Sequence, residues 1–213
     1  MTTPQFPVTD AAAEALLASL VTALTGVITV SAKPATETDR SGSISGTVTA
    51  ATVVAGGTGG TAGTQTVTGT TGAGTLFQAS VTIASGAITA VNSITVGGLY
   101  TVSPTNIAAE PVTGAGLTGA TLSLTMAGVA TQIAAANTSR RKFEFQPTSV
   151  TSTDWALNKS GNGITAAIGA KGSLQIAAMT GNPGRGDIYT DESTAAVFAY
   201  NATAFATFTA SEY

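Results

Sequence analysis

The sequence contains no cysteine and no histidine. Their absence removes disulfide staples, thiol nucleophiles, the commonest zinc ligands and every imidazole proton relay. Charge is scarce as well: Lys, Arg, Asp and Glu together make 9% of the chain, and the net charge is −3. With only eight basic residues, a nucleic-acid surface has little to stand on, and no nucleic-acid partner is expected. No apolar run approaches the ~20 residues that a membrane helix requires. Residues Met1 to Val8 lack the basic start and apolar core of a secretory signal. The expected setting is therefore synthesis in the cytoplasm without a membrane partner.

Threonine and glycine fill the space, with 40 and 25 residues out of 213. Threonine is stiff at its β-carbon and suits a pleated surface, so this richness favours strands over helices. Mean hydropathy lies above zero, at +0.32. A weakly charged chain of this kind is poorly suited to life as a free monomer, and identical chains covering one another would relieve that exposure.

The charges are unevenly placed. Between Ser41 and Ser139 the only charged side chain is Glu110, whereas both flanks carry ordinary mixtures. Four regions follow from this shift. Residues 1–26 hold one expected helix, from about Asp10 to Leu24, capped by Thr9 or Asp10, with Glu14 in its first turn and Gly26 closing it. Ala13, Leu17, Leu20 and Leu24 recur at heptad-like spacing. A helix this short is marginal alone in water, so it must pack, either in a parallel bundle with its own copies or on its own β domain. These four residues are the candidate oligomerisation set.

Residues 27–44 read as a connector ending in a strand. Residues 45–128 are the uncharged module, with strands expected at Thr47 to Val54, Thr64 to Thr68, Leu76 to Ile83, Ala87 to Val96, Tyr100 to Val102 and Thr121 to Met126. Residues 129–213 return to ordinary composition. In "RKFEFQ", Phe143 and Phe145 point one way and Lys142 and Glu144 the other, and Pro147 should end that strand early. Further strands are expected at Asp154 to Leu157, Gly163 to Ile168, Ser173 to Ala177, Ala196 to Tyr200 and Ala206 to Ala210. Trp155, Phe198, Tyr200, Phe205 and Phe208 can supply an aromatic core.

Several motifs admit a plainer reading. In "GAGLTGATLSLTM", Gly114, Gly116 and Gly119 spell a dinucleotide-binding pattern, but the following residues alternate like a strand and no acid stands about 20 positions on. Turn glycines are the better reading, and no cofactor is expected. Arg140, Arg141 and Lys142 form the one basic cluster, read as split between strand faces with a structural salt link to Glu144 or Asp154. Asp187, Asp191 and Glu192 gather near one loop, but their spacing matches no known calcium loop, so no metal is expected. Serine catalysis has no His partner, and glycoside hydrolysis would need a carboxylate pair that the uncharged module lacks. The chain reads as a non-enzyme with no catalytic residues. Tyr100 and Tyr189 remain candidate platforms for stacking on a sugar, with Trp155 favoured for the core.

Two stretches resemble proteins of tailed bacteriophages. "GTGGTAGTQTVTGTTGAGTLFQASVTIASGAITAVNSITVGGLYTV" is similar to a module of tail-fibre and other appendage proteins. "KPATETDRSGSI", then "IAAANTSRRKFEFQPTSVTSTDWALNKSG" and the closing "ASEY", resemble a second virion family in which an Asp-Arg-Ser-Gly strand leads into a small β-sandwich. There the strand runs almost directly into the "AAN-x-SRR" segment; here the uncharged module intervenes. The resemblance implies a mainly β chain in which an N-terminal helix is followed by two small antiparallel sandwich or barrel-like modules, one inserted in the other. It further implies a structural virion protein, homotrimeric, that forms a fibre, spike or decoration on head, neck or tail. Its partners would be itself, other virion proteins and a host-surface glycan. A cement protein between capsid or neck subunits and a carbohydrate-binding adhesin are the alternatives.

Overall fold

The structure is a computed structural model that describes residues 38–159, 174–177, 189–192 and 194–213. The expected helix, with Ala13, Leu17, Leu20 and Leu24, lies outside the described residues, as does the strand expected at Gly163 to Ile168. Among the described residues the chain is mainly β, without a helix. In chain order the strands are β1 (Thr38–Ser43), β2 (Gly46–Ala55), β3 (Gly63–Gly69), β4 (Ala73–Thr75), β5 (Gln78–Ala84) and β6 (Ala87–Val96). Then come β7 (Leu99–Val102), β8 (Glu110–Thr113), β9 (Thr121–Gly128), β10 (Thr131–Ala134) and β11 (Phe143–Pro147). The last are β12 (Trp155–Asn158), β13 (Leu174–Ile176), β14 (Tyr189–Asp191), β15 (Val197–Tyr200) and β16 (Thr207–Glu212).

They form three antiparallel sheets. Two have four strands each, in the orders β1-β16-β11-β14 and β10-β15-β12-β13. The third has eight, in the order β4-β7-β2-β9-β8-β3-β5-β6. β1 therefore belongs with strands from the far end of the chain, and residues 46–128 make the eight-stranded sheet between them.

The two four-stranded sheets share one core, and strand alternation says why. Phe143 and Phe145 of β11 and Phe208 and Ala210 of β16 face inward, meeting Trp155 and Leu157 of β12 and Val197 and Ala199 of β15. Phe145 sits 5.4 Å from Trp155 and 5.3 Å from Phe208, ring centre to ring centre, and the Trp155 and Phe208 rings meet edge-on at 6.4 Å. Such offset and edge-on pairs add to the burial of large apolar area. Phe198 and Tyr200 correct the aromatic-core expectation: both are only half-buried, because the register of β15 turns the smaller Val197 and Ala199 inward.

The eight-stranded sheet curls back on itself. Ile88 at the start of β6 donates its N–H to the Gly56 carbonyl at 2.8 Å, and Val48 near the start of β2 donates to Gly97 at 2.9 Å. Its interior holds Val48, Val67, Phe77, Val81, Ile83, Tyr100, Leu122 and Leu124, a second core separate from the first. Strand breaks follow local chemistry. The strand expected from Leu76 to Ile83 begins only at Gln78, since Phe77 turns into the core between β4 and β5. β4, β8, β10 and β14 were not anticipated: β4 is Ala-Gly-Thr and resembles a turn, β8 contains Pro111, and β14 lies in a stretch rich in acids.

The glycines of "GAGLTG" lie in the turn between β8 and β9. Gly114, Gly116 and Gly119 have φ of 135°, 78° and 72°, values that favour glycine. Leu117 donates to the Gly114 carbonyl at 3.0 Å, and Thr58 and Thr118 exchange backbone bonds across the neighbouring loop. At Gly119 a β-carbon would meet nothing within 4 Å. Gly119→Ala should therefore cost only its backbone penalty, about 1 kcal/mol. A urea titration that showed no loss, or a loss several times larger, would contradict this account.

Candidate functional site

Asp39 and Arg40, Asn137 to Arg141, and Ser211 to Tyr213 are far apart in sequence, and the fold gathers them at one point. β16 alternates Phe208, Ala210 and Glu212 toward the core, so its last inward position carries a carboxylate. Glu212 is 7% exposed. A charge so placed must be paired, because desolvating it alone is costly. Arg140 answers it: Nη2 lies 3.0 Å from Glu212 Oε1, and the Arg140 side chain is fully buried. The same guanidinium donates to the Ala195 carbonyl at 2.7 Å and to the Ala135 carbonyl, and lies 5.5 Å from the centre of the Phe143 ring. Arg40 of β1 reaches the same Oε1 at 3.4 Å, and the Asn137 amide donates to Oε2 at 3.4 Å.

Backbone bonds tighten the node. Arg141 donates to the Tyr213 carbonyl at 2.7 Å, and Tyr213 returns a bond to Lys142 at 3.0 Å. Ser211 donates its hydroxyl to Asp39 at 2.6 Å. The basic cluster thus corrects its expected reading. Lys142 does pair with Glu144, but Arg140 pairs with Glu212. Alternation does not sort the three residues, since β11 begins only at Phe143; a turn in which Arg140 N–H bonds the Asn137 carbonyl directs Arg140 inward. The sequence signal for Glu212 was available in the inward period of two through Phe208 and Ala210.

A second junction joins the eight-stranded sheet to the other two. Chain entry at Ser45 and exit at Val129 are bonded to each other, Val129 N–H to Ser45 carbonyl at 2.9 Å. The loop 201–206 grips both crossings: Gly128 donates to Ala202 at 2.9 Å, and Phe205 donates to Ile44 at 3.0 Å. Asn201 is fully buried and anchors the loop, donating to the Thr153 carbonyl at 3.0 Å while accepting from Thr153 Oγ1 and Thr203 N–H, both at 2.8 Å. At Gly128 a β-carbon would fall 2.0 Å from the Asn201 carbonyl, so only glycine allows this approach. Phe205 has a φ of 61°, a strained conformation for a bulky residue, and its ring packs on the core of the eight-stranded sheet rather than on its own.

Within that sheet, Glu110 is fully buried. Its carboxylate accepts from Thr70 N–H at 2.8 Å, Thr71 N–H at 2.7 Å and the Thr71 hydroxyl. It serves as an anchor for a turn, a use of charge that hydrogen bonds make tolerable. Tyr100 corrects an expectation: it is fully buried, its hydroxyl accepts from Phe77 N–H at 3.0 Å, and no sugar can stack on it. Trp155 is fully buried too. Tyr189 is placed by its backbone opposite Phe145 in the β11–β14 pairing. A groove of about 410 Å³ runs beside β1 and β16, lined by Asp39, Arg40, Ser41, Thr209, Ala210 and Ser211, without an aromatic ring.

Burial pushes the Tyr100 phenol above its ordinary value of 10.0; the Phe77 N–H works against this, and the Glu110 charge adds to it. The raised folded-state value means that Tyr100 contributes stability fully present below about pH 10 and lost as pH rises through the folded-state value. Tyr100→Phe should flatten this alkaline loss. An identical alkaline slope in both proteins would remove Tyr100 as its source.

Among the described residues no group of three or more acids comes together to hold a metal ion, and Asp187 of the acidic loop lies outside them. Glu212 and Glu110 are both committed to internal donors, so the arrangement fastens strands rather than exposing a reactive group. Set against known proteins, the chain matches no family model, no curated protein and no solved structure.

Proposed function

We propose that this chain is a non-enzymatic structural protein of a bacteriophage particle, a trimeric fibre, spike or decoration on the head, neck or tail. One observation carries the reading: of the four segments that resemble a virion family, Asp39 to Gly42, Ala134 to Arg141 and Glu212 to Tyr213 converge on the Glu212 node, while Trp155 of the Asp154-Trp155 pair belongs to the core beneath it. In this reading the two four-stranded sheets are a sandwich built from β1, at the end of the 27–44 connector, and residues 129–213. Residues 45–128 are a barrel-like module inserted in it, held by the Gly128–Asn201 junction. The helix expected from about Asp10 to Leu24 would gather three copies or anchor them to other virion proteins.

A cement role between capsid or neck subunits is the nearest alternative, and copy number separates the two. Imaging of particles carrying a labelled chain should find a few dozen copies or fewer at discrete appendages; hundreds spread over the shell favour cement, and none on the particle refutes the reading. The host-glycan adhesin is the weaker alternative, because Tyr100 and Trp155 lie inside the protein.

A further inference from the structure

We infer that Phe205 is a latch that sets the angle between the eight-stranded sheet and the two four-stranded ones. The connection between these parts is slight. Among the described residues no strand belongs to both, and the chain crosses between them near Ser45 and Val129. Those crossings lie side by side, with the Val129 N–H on the Ser45 carbonyl at 2.9 Å. Two adjacent stretches of backbone hold a module in place but let it swing about them. Relative motion is the ordinary state of parts so joined, unless a packed contact prevents it.

The loop 201–206 supplies that contact. Phe205 donates its N–H to the Ile44 carbonyl at 3.0 Å, Ile44 donates to Ala206 at 2.9 Å, and Gly128 donates to Ala202 at 2.9 Å. The loop is therefore bonded to the backbone at both crossings. From that base the Phe205 ring packs on the core of the eight-stranded sheet. Among the described residues it is the one apolar side chain of that core drawn from outside residues 46–128.

Two further observations tie the ring to this place. Room is kept for it: at Gly46, the first residue of β2, a β-carbon would fall 2.8 Å from Phe205 Cζ and 3.1 Å from Ala204 Cβ. Any larger residue there would have to move the ring. The second observation is the φ of 61° at Phe205, which a bulky residue keeps only where its surroundings hold it. Those surroundings are the buried Asn201 at the start of the loop and the core on which the ring packs. The docked ring thus outweighs the strain of its own backbone. A close-packed core accepts such a ring in one pose, so docking fixes one angle.

The inference stands on the fold and not on the proposed function. The sequence has no cysteine, so two spin labels can be placed by Ala84→Cys and Val150→Cys. Ala84 is exposed at the end of β5, and Val150 is exposed between β11 and β12. Labelled full chain diluted into unlabelled chain reports distances within one copy. With Phe205 in place, the distance distribution from pulsed dipolar spectroscopy should be single and narrow. Phe205→Gly removes the ring and relieves the positive φ, and should widen the distribution about twofold or more as the module swings. Gly46→Ala displaces the ring from the other side, leaves the loop sequence untouched, and should widen it too. Trp155 fluorescence and amide protection of β3 and β5 should match the parent in both variants, which separates swinging from unfolding. A distribution that stays narrow in both variants overturns the inference. Widening that comes only with loss of either folding signal overturns it as well, since Phe205 would then be packing and not a latch. A broad or double distribution with Phe205 and Gly46 unaltered refutes it without any substitution at the latch.

Discussion

Glu212→Ala is expected to destabilise the protein by about 3–5 kcal/mol, because it leaves a buried guanidinium without its counter-charge. Arg140 is fully buried and Glu212 is the carboxylate against it, at 3.0 Å. Arg40 and Asn137 lose a partner in the same step. The Lys142–Glu144 pair is the internal comparison, since Lys142 is about half exposed; Lys142→Ala should change stability by no more than about 1 kcal/mol. Urea unfolding followed by Trp155 fluorescence measures both, as Trp155 lies in the core that the node closes. Equal, small losses would show that the node is not a buried ion pair. Replacing Arg140 and Glu212 together by apolar residues should recover part of the loss, since no unpaired charge then remains.

Glu110→Ala should cost about 1–3 kcal/mol, for a different reason. Here no cation is stranded; the loss falls on the Thr70 and Thr71 N–H groups, which donate to one carboxylate oxygen at 2.8 and 2.7 Å. A fully buried donor left unmade costs about 1–3 kcal/mol; Thr70 is exposed and Thr71 half-buried, so water replaces part of what the carboxylate supplied. Glu110→Gln should fall between the parent and Glu110→Ala, since the amide keeps one acceptor oxygen but brings its own donors beside Thr71. Amide exchange locates the effect: protection should fall first in β3, which leads into the turn, and in β8, which carries Glu110 and pairs with β3. A loss spread evenly over all three sheets would contradict a local anchor.

The β-rich class and most strands were legible because Thr, Val and Ile alternate with glycine turns. Ala87 to Val96 was read to the residue, and Pro147 does terminate its strand. The missed strands share a cause. β4 and β8 carry the residues that local signals assign to turns, and they become strands because β7 and β9 supply their partners. The candidate site was less legible. Composition marked Glu110 as singular but said nothing of Thr70, 40 residues away. Exposure of Tyr100 was misjudged because one strand's alternation does not say which face is covered. Arg140 was read by strand period although a turn, which obeys no period, sets its direction.

The pairing of β1 with β16 bears on how the chain acquires its shape. Asp39 and Ser211, which share a hydrogen bond, are 172 residues apart. Closing so long a loop is entropically costly and slow, whereas the neighbouring strands β5 and β6 meet across a two-residue turn. The middle sheet can therefore form while the chain is still being synthesised, and the flanking sheets must wait for β15 and β16. Until then β1 and β11 each lack their central partner, leaving Phe143 and Phe145 uncovered. A nascent chain halted before Thr207 should accordingly hold a protease-resistant middle between two susceptible ends, and those uncovered strands are where premature aggregation would begin.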